Sequence, residues 1–429
     1  MQLYSTNNKN NKVFLKEAVM QSLAVDKGLY MPEVIPALSP DFIKNIDKYS
    51  FQEIAFEVSR CLIGDYVPSE ELKKIVDNAI TFPAPIVKLD EIRASLELWH
   101  GPSLAFKDFG ARFMAALMSY FIKDENKDLT ILVATSGDTG GAVASGFYKT
   151  PGIEVIILYP IGKVSDLQEK QLTTLGNNIS ALEIQGSFDD CQALVKEAFL
   201  DKELNAAYQL SSANSINIAR LIPQTFYYFE AYKQVFKSGK DIVFSVPSGN
   251  FGNITAGLMA KRMGLPIKRF IAATNINKIV PDYLKLGIYK PRPSVATISN
   301  AMDVGNPSNF TRVLNLYDDS IDEIRKDVSG YYLNDEETRS AMKEAYAKFG
   351  YICDPHGAIG YKSLDELEDN ELGIFLETAH PAKFLDTVEE TLNLKIEIPT
   401  ALKEIANKEK VATLLNKDFS GFKRYLLDR

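Results

Sequence analysis

The chain has 429 residues, 46% of them apolar and 24% charged, an ordinary globular composition with more length than one hydrophobic core organises. Its 48 basic and 56 acidic residues leave a net charge of −8, so no global field draws it to nucleic acid or an anionic membrane, and any anionic ligand must be held locally. Cys61, Cys191 and Cys353 set neither a disulfide framework nor a CxxC metal site and fit a cytoplasmic home, and no window reaches the roughly 18 apolar residues of a membrane span.

From Val13 to about Arg93, KEAVMQSLAV, DFIKNIDKYSFQEIAFEVSRCLI and SEELKKIVDNAI space their apolar residues by three and four, which predicts a helical front domain. Pro83 and Pro85 interrupt it, placing a boundary near residue 90. Beyond it, buried-strand runs (LTILVAT, EVIILYP, ISALEIQ, DIVFSVP, RFIAATN, GIFLET) alternate with helical stretches such as GARFMAALMSYFIKD, DDCQALVKEAFLD, IARLIPQTFYYFEAYKQVF and ITAGLMAKRMG. That order predicts an α/β fold with parallel sheets. The segment 278–308, rich in proline and asparagine and lacking a clean period, reads as a long functional loop or lid. In the last third, DEETRSAMKEAYAKFG is a helix for which Asp335 is the expected cap and Gly350 the stop. The division is therefore a helical domain over 1–92, a small α/β domain over 93–235 and a large one over 236–429.

Three constellations carry chemistry. In HGPSLAFKDFG, Lys107 stands between Phe106 and Phe109 at the start of a helix. An enclosed lysine loses its proton more readily, and the neutral amine condenses with an aldehyde; the same residues also suit a surface lysine whose stem packs on the rings. In VPSGNFGN, Ser248, Gly249, Asn250, Phe251, Gly252 and Asn253 join a strand to a helix. Glycines let successive N–H groups converge there, and the helix N-terminus adds positive character, so the turn suits a phosphate, or is an ordinary glycine-rich connection. It matches neither GxxxxGKS/T nor GxGxxG. In TSGDTGGA, Thr135, Ser136, Gly137, Asp138 and Thr139 repeat the strand–turn–helix geometry as a second anion site, in which Asp138 faces a proton-bearing group or caps the helix. SSANSINIAR adds Ser215 and Arg220, an arginine suited to an oxyanion. The three histidines show no ligand spacing, so no metal is expected.

Together HGPSLAFKDFG, TSGDTGGA, SANSINIAR, VPSGNFGN and SNAMDVGNPSN, with KEAVMQSLAVDKGLYMPE, DPHGAIGY and LETAHPAKF, resemble the threonine synthases, pyridoxal 5'-phosphate (PLP) enzymes of fold type II, over nearly the whole chain. The resemblance implies two open parallel-sheet domains behind the helical one. It makes Lys107 the Schiff-base lysine, residues 248–253 the cradle of the cofactor phosphate and Thr378 the partner of the pyridine nitrogen, with Asp138 near the cofactor's 3′-oxygen. It assigns the loop from Thr135 through Gly137 to Gly140 to the substrate carboxylate, and Thr139, Ser215, Arg220 and Lys383 to the substrate phosphate. The implied reaction takes O-phosphohomoserine and water to threonine and phosphate, in a monomer or weak homodimer. Ser103 and Gly357 depart from the family pattern, standing where threonine and a hydroxyl residue are common. A serine/threonine dehydratase or a β-replacement synthase is the nearest rival, and Ser215 with Arg220 argues against both, because neither needs a substrate-phosphate site.

Overall fold

A computed structural model describes residues 1–429 except Asp124, Asn126, Lys127 and Ser136. Fourteen strands lie among the described residues: β1 (Gln2–Ser5), β2 (Asn8–Phe14), β3 (Tyr30–Pro32), β4 (Ile86–Lys88), β5 (Arg93–Glu97), β6 (Leu129–Ala134), β7 (Ile153–Pro160), β8 (Ile179–Gln185), β9 (Gln209–Ser212), β10 (Asp241–Pro247), β11 (Arg269–Thr274), β12 (Val328–Tyr332), β13 (Glu371–Glu377) and β14 (Thr413–Asn416). They form three sheets, ordered β2-β1-β3, β12-β11-β10-β13-β5-β4 and β14-β8-β7-β6-β9. The first is antiparallel; the other two are parallel throughout except for the β4–β5 pair. Each large sheet draws a strand from a distant part of the chain, β5 in one and β14 in the other. Among the described residues no helix is long and apolar enough to cross a membrane.

Every residue of β6 and β13 is buried, and β7 and β10 nearly so, because helices cover both faces of each sheet. Their near-continuous apolar runs follow from that burial. The front segment carries the expected helices Phe51–Ile63 and Ser69–Ala79, the first opened by a capping box between Ser50 and Glu53. It also carries the small sheet β1–β3, which a helical reading did not foresee: β2 exposes most of its length, so no apolar alternation marks it. Phe109 docks the Lys107 helix onto this front layer, its ring 4.8 Å from Phe82, 6.0 Å from Phe51 and 5.3 Å from Tyr227.

Two local expectations change. The segment 278–308 opens with a helix, Ile279–Leu286, since Pro281 lies in its first turn where a missing N–H breaks no bond, and Gly287 ends it at φ 79°. The cap of the helix Asp335–Phe349 is Asn334, whose side chain takes the N–H of Glu337, while Asp335 is its first residue; Gly350 stops it at φ 65°, as expected.

Candidate active site

β6 and β10 both end in glycine-containing turns that open helices, Asp138–Phe147 and Gly252–Arg262. Ligands in open parallel sheets gather outside such carboxyl ends. The last pair between the neighbours β10 and β13 is Ser245–Phe375, so Ser248 and Thr378, three residues further on, leave the sheet level with one another. The main chain of Thr378 accepts the N–H of Phe106 at 2.8 Å, and Ala105 bridges Ala379, which fixes the start of the Lys107 helix beside the strand end.

Lys107 is largely enclosed, with its ammonium 5.3 Å from the centre of the Phe106 ring. Burial pushes its pKa down; Asp138, 4.0 Å away, opposes the shift, while Lys383 and Arg220 add to it. Asp138 Oδ1 accepts from Lys383 Nζ at 2.7 Å and from Gln168 Nε2 at 2.8 Å. Burial would raise this carboxyl, but Lys383 and then Lys107 outweigh it and hold Asp138 well below the usual carboxylate range. Asp138 thus links two lysines as their common anion. Lys383 is buried and also donates to the carbonyl of Ser103 at 2.8 Å, which takes Gln171 as well. These contacts of Ser103, and its N–H to Asp108, run through the main chain, so the departure from threonine leaves them untouched.

Thr135 is committed inside its own turn: its hydroxyl accepts from Gly137 N at 3.0 Å and Gly140 N at 2.8 Å. Gly137 sits at φ 148°, and a Cβ there would fall 2.9 Å from the Gln168 amide. Thr139 is half-buried on the helix that follows; Ser136 lies outside the described residues. Ser215 Oγ accepts from Asn250 Nδ2 at 2.6 Å, which ties the 211–217 turn to the glycine loop. Arg220 is buried, donates one bond to the carbonyl of Ala213 and leaves Nε unpartnered. Gly110 admits it, since a Cβ there would stand 2.7 Å from Nε.

The donor set fits PLP. Among the described residues the N–H groups of Gly249, Asn250, Phe251, Gly252 and Asn253 have no hydrogen-bond partner, and Phe251 turns the chain at φ 62° so that they follow one another around the loop. Gly249 allows close approach of the neighbouring segment: a Cβ would lie 2.5 Å from the carbonyl of Ala301. The hydroxyl of Thr378 also has no partner among the described residues, and Lys107 is an enclosed amine. A phosphate, a ring nitrogen and an aldehyde each find a complementary group.

The pyridoxal-phosphate dependent enzyme family matches residues 80–374, the threonine synthase N terminus 2–80 and the threonine synthase C-terminal model 357–426. The threonine synthase of Haemophilus influenzae is 48% identical over 429 residues and that of Escherichia coli 45% identical over 430, each over 100% of both chains. The chain belongs to the threonine synthase family. The crystal structure of the Escherichia coli threonine synthase superposes with a TM-score of 0.94 over 100% of both chains at 45% identity, and the PLP-bound threonine synthase from Brucella melitensis with 0.94 at 35%, over 99% of this chain and 98% of that one. The architecture is accordingly that of fold-type-II PLP enzymes, and PLP is the cofactor of the family.

Two features of this threonine synthase family member escape motif reading. Asp354 caps the helix Pro355–Ser363, accepts from His356 Nδ1 at 2.6 Å and receives the N–H of Ala379, while its own N–H donates to Glu377 Oε1 at 2.6 Å. His356 Nε2 in turn accepts from Ala301 N at 3.2 Å, directly behind Gly249. Gly357, the second departure from the family pattern, makes room for Glu377: a Cβ would stand 1.7 Å from Glu377 Oε2. Arg312 and Asn309, which join the 211–217 turn to the glycine loop, form the other feature. DPHG, LETAHP and NPSN carried the only sequence signal, as segments of the resemblance.

Proposed function

We propose that the chain converts O-phosphohomoserine and water to threonine and inorganic phosphate, with PLP carried on Lys107, as a cytoplasmic enzyme. The observation that carries this reading is the 2.6 Å bond between Asn250 and Ser215, which joins a turn gripped by the buried Arg220 to the glycine loop. Two anion pockets side by side suit a cofactor phosphate and a phosphorylated substrate.

Bound there, PLP supplies an electron sink that makes protons beside the substrate amine removable. In this reading the free N–H groups of residues 249–253 grip its phosphate, and the uncharged Thr378 hydroxyl meets its ring nitrogen. The turn between Thr135 and Thr139 takes the substrate carboxylate, with the Thr135 hydroxyl holding the N–H groups of Gly137 and Gly140 rather than the ligand, and Thr139, Ser215 and Arg220 take the phosphate. Held at both ends, the substrate keeps its α-carbon near Lys107, orientation that is worth about 7–11 kcal/mol of barrier. Lys107 Nζ, its ammonium disfavoured by burial, is the base for the α-proton. Once protonated it faces Asp138 at 4.0 Å, and Lys383 on the far oxygen keeps that carboxylate ionised.

The test is phosphate release from O-phosphohomoserine, compared with deamination of threonine and serine. Phosphate release is expected to dominate and to fall at least 100-fold in Arg220→Ala. Equal or faster deamination would assign the chain to dehydratase chemistry instead.

A further inference from the structure

We propose that Arg312 is a positioning residue that clamps the two anion pockets at one separation, its charge balanced by the anions those pockets bind. The inference rests on the function proposed above.

Arg312 is fully buried. Its Nε and Nη2 donate to the carbonyl of Tyr30 at 3.1 and 3.0 Å, Nη2 also to that of Ile216 at 2.7 Å, and Nη1 to Asn309 Oδ1 at 2.5 Å. Asn309 carries the contact to both pockets: its N–H donates to the carbonyl of Asn250 at 3.2 Å and its Nδ2 to that of Ser215 at 3.4 Å. The same Nδ2 lies 3.5 Å from where a Cβ on Gly252 would stand. One guanidinium therefore fixes Tyr30 at the front sheet, the Ser215 turn and the glycine loop, in a planar fork that lysine cannot reproduce.

Charge gives the second argument. Among the described residues no carboxylate pairs with Arg312, and burial alone lowers its guanidinium to about 9, so it remains a cation at neutral pH. Carbonyl oxygens satisfy its donors without neutralising it, and a buried uncompensated charge is costly. Arg220 repeats the pattern on the same turn, holding Ala213 as Arg312 holds Ile216, also with no paired carboxylate among the described residues. Asp108 acts on Arg220 without pairing it, so a turn gripped from both ends by arginines that no carboxylate pairs is an arrangement that anions complete. Binding at either pocket then lowers the cost of the same buried cation, so both affinities depend on it.

The experiment measures dissociation constants for PLP on cofactor-stripped protein and for inorganic phosphate on the PLP-loaded protein, with circular dichroism as the check on folding. In Arg312→Met both are expected to weaken at least 10-fold, and the rise in melting midpoint that phosphate produces in the parent protein is expected to disappear. Arg312→Lys, which keeps the charge and loses the fork, weakens phosphate at least 3-fold, and Ser215→Ala weakens phosphate alone. A folded Arg312→Met with both constants within 3-fold of the parent protein overturns the proposal, as does loss of only one of the two. If the methionine variant does not fold, an unchanged phosphate constant in Arg312→Lys overturns it. Absence of turnover on O-phosphohomoserine in the parent protein would sink the functional reading while leaving these constants as they are.

Discussion

Replacing Gly357 by serine probes the tightest approach behind the cofactor cradle. The new Cβ would stand 1.7 Å from Glu377 Oε2 and 2.6 Å from its carboxyl carbon, so the carboxyl has to move. It has little freedom to do so: Glu377 ends the central strand β13, is fully buried, and holds the N–H of Asp354 at 2.6 Å. Overpacking of this kind costs about 1–3 kcal/mol and the disturbed hydrogen bond about 0.5–1.5 kcal/mol, which gives about 2–4 kcal/mol for the variant. Burial, and then the neighbouring Asp354, raise the Glu377 carboxyl well above its ordinary range. The strain that an added Cβ introduces is steric, set by its 1.7 Å approach to Glu377 Oε2. The damage passes through Asp354 and His356 to Ala301 behind Gly249, so retention of PLP on gel filtration falls together with the urea midpoint. Truncating the obstructing side chain in Gly357→Ser/Glu377→Ala should restore at least half of the loss. A single variant within 0.5 kcal/mol of the parent protein, or a coupling energy below about 0.5 kcal/mol in the double-mutant cycle, would refute the steric argument.

Lys107→Ala is expected to purify without the cofactor's visible absorbance and without measurable phosphate release; a coloured, active variant would remove Lys107 from its role. Asp108, buried with Oδ1 unpartnered, is raised by burial to about 6 from 3.8. Its stabilising contribution is complete below pH 4 and lost as pH rises through 6, so the parent protein should lose about 3 kcal/mol relative to Asp108→Asn between pH 4 and 7, and parallel stability curves would contradict this. Asp138→Asn removes the anion that raises Lys107, so the acid-side midpoint for colour development when stripped protein is mixed with PLP should move to lower pH. A midpoint that stays or rises would show that Asp138 does not govern that amine.

What was legible in the sequence follows from how each element is buried. Strands enclosed on both faces announce themselves as near-continuous apolar runs, as LTILVA and the centre of ELGIFLE do. β14 does not, because Thr413–Asn416 is mostly exposed and exists as a strand through its pairing with Leu182–Gln185, far away in the chain. The strand–turn–helix geometry after β6 and β10 was readable because strand, glycine and helix N-terminus are contiguous. Arg312 was not: its partners Tyr30, Ile216 and Asn309 come from three separate segments, and FTRV looks like any amphipathic helix. Gly357 was visible as a departure from a family pattern, but only Glu377, twenty residues on, explains it.

The same distinction separates what holds charge from what places it. In the proposed reading the loops after β6 and β10 would hold anions with main-chain groups that any sequence of suitable turn geometry supplies, so they would carry little discrimination of their own. Discrimination comes from buried side chains that pair or refuse to pair. Asp138 satisfies Lys383 and faces Lys107, leaving the lysine side of the site close to neutral. Among the described residues neither Arg220 nor Arg312 is ion-paired to a carboxylate; Asp108 acts on Arg220 without pairing it, and both keep their positive charge on the Ser215 side. A substrate with an anionic group at its far end is therefore favoured there over a serine or threonine lacking one. Introducing an acid at Asn309, the shared neighbour of Arg312 and Ser215, should erase that preference: Asn309→Asp is expected to raise the KM for O-phosphohomoserine at least 10-fold while leaving that for threonine deamination within 3-fold. An equal rise in both would mean that geometry, rather than unpaired charge, selects the substrate.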